Sequence, residues 1–273
     1  MSVYEQMLKR YKSNETIDEH NANCEVMQQI ALAGLYRGGF FQKAAFYGGT
    51  CLRIFHGLQR FSEDMDFSLL SHDETFDLER YFPAIIKEFE AVGRSVEIKK
   101  KDKKTFTKIE SAFLKDNTDV YDISFTSQKS LKIKIEVDTN PPSNFSTEQR
   151  LLMLPFSFMT RCYTLPCLFA GKMHAMVFRT WKNRVKGRDW YDFEWYVRNG
   201  TKLNFAHLQE RILQFNEKQI TKEEFIIALK ERITTTNIEM VKADVIDFVI
   251  DRRELDIWST DYFMQVADMI QFE

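Results

Sequence analysis

Residues 94–100, 105–113, 120–126 and 131–138 read as four strand-like runs in close succession. After one irregular stretch the pattern then turns almost wholly helical. That order restricts the architecture more than any other feature of the chain. Closely spaced strands predict an antiparallel or mixed sheet, and the stretch "TNPPSNFSTEQR", rich in Pro, Ser, Asn and Thr, predicts a long connection. Beyond it, apart from "LMLPF" and "CYTL", helical periodicity covers 166–179, 188–198, 205–215, 222–232, 238–251 and 256–270. The expected class is therefore α+β: a mixed or antiparallel sheet with helices over residues 1–155, followed by a helical domain over 156–273. A chain of 273 residues is long enough for both.

Upstream, Thr16-Ile17-Asp18-Glu19 has the form of a capping box, and Met27, Ile30, Ala31 and Leu35 recur at helical spacing, which predicts a helix over 17–36. "KAAFYGG" reads as a short buried strand closed by a turn, followed by a helix over 50–56 and a strand at "EDMDFSLL". Leu78, Phe82, Ile85 and Phe89 predict another helix, which Pro83 either kinks or opens as a new first turn.

Composition narrows the function classes. No apolar run approaches the roughly 20 residues of a membrane helix. The first 20 residues mix both charges without a signal-peptide core, so the expected setting is cytoplasmic, with no membrane partner. Cys24, Cys51, Cys162 and Cys167 are scattered, which fits reduced thiols. A net charge of −2 excludes a whole-molecule electrostatic binder of nucleic acid, although "EIKKKDKKTFTK" packs six lysines into twelve residues. These guard an edge strand or contact a phosphate backbone.

The chemistry gathers at "FYGGTCLRIFHGLQRFSEDMDFSLL". In a strand, Asp64 and Asp66 share one face while Met65 and Phe67 point into the core. Two carboxylates side by side repel, and a cation removes that cost. Mg²⁺ suits the pair, because it accepts few protein carboxylates and completes its shell with water and substrate phosphates. In "KIKIEVD" the apolar face is Leu131, Ile133, Ile135 and Val137, leaving Lys132, Lys134, Glu136 and Asp138 on the other. Asp138 is a candidate third carboxylate, for metal or as a base toward an attacking hydroxyl, and Glu136 competes for that place. Gly48-Gly49-Thr50 offers backbone N–H groups and a helix start to phosphates, with Thr50 a candidate N-cap or phosphate ligand.

The segment "GGTCLRIFHGLQRFSEDMDF" resembles the motif of the AbiEii/AbiGii toxin family, within the DNA polymerase β-like nucleotidyltransferases. "AGKMHAMVFRTWKNRVKGRDWYDFEWYV" resembles that family's second signature, and the likeness runs from about residue 46 to 197. It implies a bilobal enzyme with a groove between its halves. In such an enzyme Gly48, Gly49 and Thr50 hold nucleotide phosphates, Asp64 and Asp66 bind Mg²⁺, Lys172 meets the triphosphate, and Asp189 supports Lys172 or the nucleotide. Arg53 assists at phosphate or braces the loop.

The resemblance also implies a toxin of a toxin–antitoxin or phage-defence pair. Its activity would transfer NMP from an NTP to an acceptor, with tRNA (an RNA) the expected class, releasing pyrophosphate, and a cognate antitoxin would be a partner. Read from the residues alone, Lys172 is also a surface lysine and Asp189 a helix N-terminal acid. His174, Trp190, Tyr191, Trp195 and Tyr196 read as packing residues. A small-molecule or protein acceptor, or a nucleotide-binding module without catalysis, remains open at this level.

Overall fold

The computed structural model describes residues 1–12, 18–101, 119–128, 130–179 and 185–273. Its contacts form two compact units. One comprises Met1–Gly57, Phe61–Pro141 and Thr147–Cys162; the other Leu58–Arg60, Pro142–Ser146 and Tyr163–Glu273. Where the sequence suggested a cut at 155, residues up to 162 stay with the sheet, and a three-residue piece near 60 joins the helical unit.

The first unit carries α1 (Val3–Lys12), α2 (Glu19–Arg37), β1 (Ala44–Tyr47), α3 (Gly48–His56), β2 (Asp64–Leu69), α4 (Phe82–Ala91), β3 (Val96–Lys100), β4 (Val120–Phe125), β5 (Lys132–Asp138), β6 (Thr147–Leu152) and β7 (Phe158–Tyr163). The seven strands form one mixed sheet in the order β3-β4-β5-β2-β1-β7-β6. Pairing is parallel between β2 and β5 and between β1 and β7, and antiparallel between β1 and β2, β3 and β4, and β4 and β5. The D-x-D strand thus lies in the middle of the sheet, flanked by β1 and β5.

Phenylalanine fills this core. Phe67 of β2 stacks on Phe46 at 4.9 Å and meets Phe40 edge-on at 5.0 Å; such pairs add roughly 0.5 to 1.5 kcal/mol each beyond burial. Helix α2 packs on α4 and β5. A Cβ at Gly34 would stand 2.6 Å from the Ile85 Cα, so the absence of a side chain there permits the close approach of α2 and α4.

Several sequence expectations shift. Asp18, not Thr16, caps α2, accepting the Asn21 N–H at 2.9 Å; Thr16 and Ile17 lie outside the described residues, as does the expected strand 105–113. Pro83 sits in the first turn of α4, after a 3-10 turn at Leu78–Tyr81, so it opens a helix rather than kinking one. Strand β6 takes up the last four residues of what read as connection, and β7 follows beyond it. β6 ends the sheet and buries none of its residues fully, so it has no apolar alternation to betray it.

The second unit holds α5 (Leu165–Phe178), α6 (Gly187–Arg198), α7 (Phe205–Asn216), α8 (Lys222–Thr235), α9 (Ile238–Val245) and α10 (Thr260–Asp268). Most of α5 and nearly all of α6 are buried, including His174, Trp190, Tyr191, Trp195 and Tyr196, as expected for packing residues. Gly187 brings α6 against α9: its N–H donates to Asp244 Oδ2 at 2.8 Å, and a Cβ there would meet the Val241 carbonyl at 2.2 Å.

The helix expected to run to residue 251 stops at Val245. From there the backbone bonds elsewhere: Ile250 N–H donates to the Gln59 carbonyl at 3.2 Å, and Val249 bridges to Arg60. The helix expected over 256–270 begins only at Thr260, where the Ser259 hydroxyl accepts the Tyr262 N–H. Among the described residues, no helix is long and apolar enough to cross a membrane. All four cysteines are free and buried.

Candidate active site

Strand β1 runs directly into α3, with Tyr47 as N-cap and Gly48 at φ +81°. A Cβ on Gly48 would lie 2.3 Å from Asp66 Oδ2, so the helix start presses on this carboxylate and only glycine fits both the space and the left-handed backbone. The positive end of α3 thereby favours negative charge at Asp66. Thr50 is fully buried, and its hydroxyl donates to the Asp64 carbonyl oxygen. It is therefore neither the N-cap nor a hydroxyl facing substrate; it ties α3 to the start of β2. Arg53 donates through Nε to Glu25 of α2, and its guanidinium lies 4.8 Å from the centre of the Phe61 ring. These contacts tie α3 to α2 and to Phe61.

Met65 and Phe67 are fully buried, while Asp64 and Asp66 lie on the opposite, half-buried face. The parallel register of β2 and β5 aligns Asp64 with Lys134, Asp66 with Glu136, and Ser68 with Asp138. Glu136 thus stands level with the D-x-D pair. Asp138 lies one strand repeat further on, about 6.6 Å, where its Oδ1 accepts the Asn140 N–H at 3.0 Å.

Lys134 joins this face. Its ammonium pairs with Glu136 Oε1 and lies 3.7 Å from Asp64 Oδ1. Burial works against that charge, but Asp64 and Glu136 outweigh it and hold the ammonium well above the ordinary lysine value. The donor set suits a hard divalent cation that takes few protein ligands and fills its shell from water and phosphate oxygens. Among the described residues, no group of three His, Cys, Asp or Glu side chains is arranged to hold a metal by itself.

A second charged cluster lies within the helical unit. Lys172 of α5 donates to Asp189 Oδ1 at 2.6 Å and pairs with Asp192 Oδ2 at 2.8 Å. Arg60 clamps the same Asp192 in a bidentate pair, Nε and a terminal nitrogen each 2.6 Å from a carboxylate oxygen. Arg60, Asp189 and Asp192 are all buried. Burial would raise the Asp189 carboxyl; Lys172 and Lys186 instead bring it down to about 2. Burial would likewise strip the proton from Lys172, yet Asp189 and Asp192 hold its ammonium above the ordinary value. Lys172 is thus no surface lysine.

The i, i+3 spacing of Asp189 and Asp192 was legible in the sequence. Arg60 was not, because its partner lies 132 residues away. In the lysine-rich segment, Lys99 pairs with Glu97 at 2.9 Å and Lys100 with Asp119 at 2.7 Å; Lys103, Lys104 and Lys108 lie outside the described residues.

The sequence pattern of the family described as nucleotidyl transferase AbiEii toxin, type IV TA system, matches residues 30–273. The chain belongs to the AbiEii toxin family. AbiEii proteins are toxin nucleotidyltransferases of type IV toxin–antitoxin systems, and membership implies a cognate antitoxin. The fold agrees. The crystal structure of JHP933 from Helicobacter pylori matches with TM-score 0.53 at 16% identity, covering 93% of this chain and 91% of that one. A candidate nucleotidyltransferase, also from H. pylori, matches with TM-score 0.53 at 15% identity, covering 93% and 95%. No curated protein matches the chain.

Proposed function

We propose that this AbiEii-family chain transfers a nucleoside monophosphate from an NTP to an RNA acceptor of the tRNA class, with Mg²⁺ held by Asp64 and Asp66. The carrying observation is the contact between the start of α3 and the D-x-D strand, where Gly48 leaves no room for a side chain above Asp66 Oδ2. That contact sets backbone N–H groups, which bind phosphate oxygens, beside carboxylates that bind the metal of a metal–nucleotide complex. When bound, Mg²⁺ neutralises charge on the triphosphate and polarises the reacting phosphorus.

The residues do the remainder. Gly48 and Gly49 turn their N–H groups to phosphate, and Thr50 keeps α3 seated on β2. The acceptor hydroxyl oxygen bonds to the α-phosphorus, the bond to the bridging oxygen breaks, and pyrophosphate leaves. Asp138, one strand repeat beyond Glu136 on the same face of β5, takes the hydroxyl proton. For Lys172 and Asp189 we keep the roles the resemblance implies: an ammonium for substrate phosphate and the carboxylate that holds it in place.

The test is label incorporation from each of four α-phosphate-labelled NTPs, with Mg²⁺, into total tRNA and separately into total protein, comparing wild type with Asp66→Asn. Label in tRNA that vanishes in the variant is the expected result, and the dependence on base names the donor. Label in protein alone would overturn the acceptor class, and label unaffected by Asp66→Asn would overturn the site.

A further inference from the structure

Lys134 occupies an unusual place among the groups just described. It lies on the same face of the sheet as Asp64, Asp66 and Glu136, aligned with Asp64 across the parallel β2/β5 pair. Its side chain is only 23% exposed, and its ammonium touches Glu136 Oε1 while standing 3.7 Å from Asp64 Oδ1. A lysine on a solvated strand face ordinarily extends its ammonium into water. This one turns inward, between carboxylates of two neighbouring strands.

The position matters because of what else could fill it. A site holding two divalent ions needs a carboxylate from a neighbouring element to join the D-x-D pair around the second ion. Glu136 is the carboxylate level with Asp66, and Lys134 already holds it. The charge count points the same way. The groups level with the D-x-D pair, Asp64, Asp66 and Glu136 with three negative charges and Lys134 with one positive, balance at −2, which one divalent ion neutralises; Asp138 stands one repeat further along β5, outside this count.

We propose that Lys134 is a built-in cation of this site: its ammonium takes the place between Asp64 and Glu136 that a second divalent ion would need, so the protein holds one ion, on Asp64 and Asp66. Lys134 is then a positioning residue. It keeps Glu136 out of the metal's shell and offsets repulsion among the carboxylates before metal and nucleotide arrive. The inference rests on the proposed reading that Asp64 and Asp66 bind the metal.

The experiment is Mn²⁺ binding to the full chain without nucleotide, read by electron paramagnetic resonance and calorimetry, so that no activity enters the readout. Wild type should bind one ion per chain and Asp66→Asn should lose it. Lys134→Gln should bind a second ion, or hold the first at least tenfold more tightly. Lys134→Arg, which keeps the charge, should match wild type.

Removing the lysine alone could unfold the chain by exposing three carboxylates to one another. The charge-balanced double variant Lys134→Gln/Glu136→Gln covers that case. Its balance stays at −2, and it should bind one ion within threefold of the wild-type affinity. Two ions on wild type, no change in Lys134→Gln, or a tenfold loss in the double variant would each overturn the role of Lys134 while leaving the metal reading intact. Wild type binding no ion, or binding it no better than Asp66→Asn, would overturn the metal reading itself.

Discussion

Replacing Arg60 by methionine isolates the energetics of the buried cluster in the helical unit. Asp192 is fully buried and receives three charged contacts, two from Arg60 at 2.6 Å and one from Lys172 at 2.8 Å. Methionine preserves much of the volume but removes two of the three, leaving the Asp192 carboxylate with a single partner that it shares with Asp189. Breaking one side of a buried ion pair costs about 3 to 5 kcal/mol, a large part of the roughly 5 to 15 kcal/mol that holds a domain folded.

The chain supplies its own probe. Among the described residues, the tryptophans Trp190, Trp195 and Trp258 fall within Tyr163–Glu273, so their fluorescence during urea unfolding reports on the helical unit. With a urea dependence of about 1 to 3 kcal/mol per molar, the midpoint should fall by about 1 to 5 M. The double variant Arg60→Met/Asp192→Leu removes both charges and leaves Lys172 paired with Asp189. It should be more stable than the sum of the single effects by at least about 2 kcal/mol. A loss below about 1 kcal/mol for Arg60→Met, or strict additivity in the double variant, would refute the view that Arg60 is what makes a buried Asp192 tolerable.

Two further outcomes follow from particular groups. Gly48→Ala places a Cβ 2.3 Å from Asp66 Oδ2 in a left-handed backbone conformation, so nucleotidyl transfer should fall by about 100-fold, as expected when reacting groups shift by about an ångström. Circular dichroism should show the fold retained, and activity within threefold of wild type would remove Gly48 from the site. Burial, helped by neighbouring arginines, lowers the imidazoles of His56, His174 and His207 to about 4, about 3 and about 4. The unfolded chain therefore takes up these protons first as pH falls below about 6.5. The resulting stability is complete above that value and is lost progressively toward pH 4, on the order of 1 to 2 kcal/mol per histidine by pH 5. Melting temperatures at pH 7.5 and 5.0 measure this, and equal values would refute it.

The geometry of the candidate site was legible where placement is local. Alternation along β2 put Asp64 and Asp66 on one face and buried Met65 and Phe67 on the other, because side-chain direction in a strand follows from position alone. The Gly48-Gly49 turn announced a strand-to-helix junction for the same reason. Edge strand β6 was missed because it buries little, so no apolar alternation marks it. The true end of α9 was missed because the chain beyond it bonds to Gln59 and Arg60, far away in the sequence.

Sequence by itself determined the α+β-then-helical order, the buried faces of the central strands and the family to which the chain belongs, all of which depend on local periodicity and motif spacing. Tertiary structure alone decided which charges meet. Register across β2 and β5 set Glu136 rather than Asp138 level with Asp66 and brought Lys134 between carboxylates, and packing in the helical unit closed Arg60 onto Asp192. Coulomb forces act through space rather than along the chain, so the partners of a buried charge become known only once the strands and helices are placed.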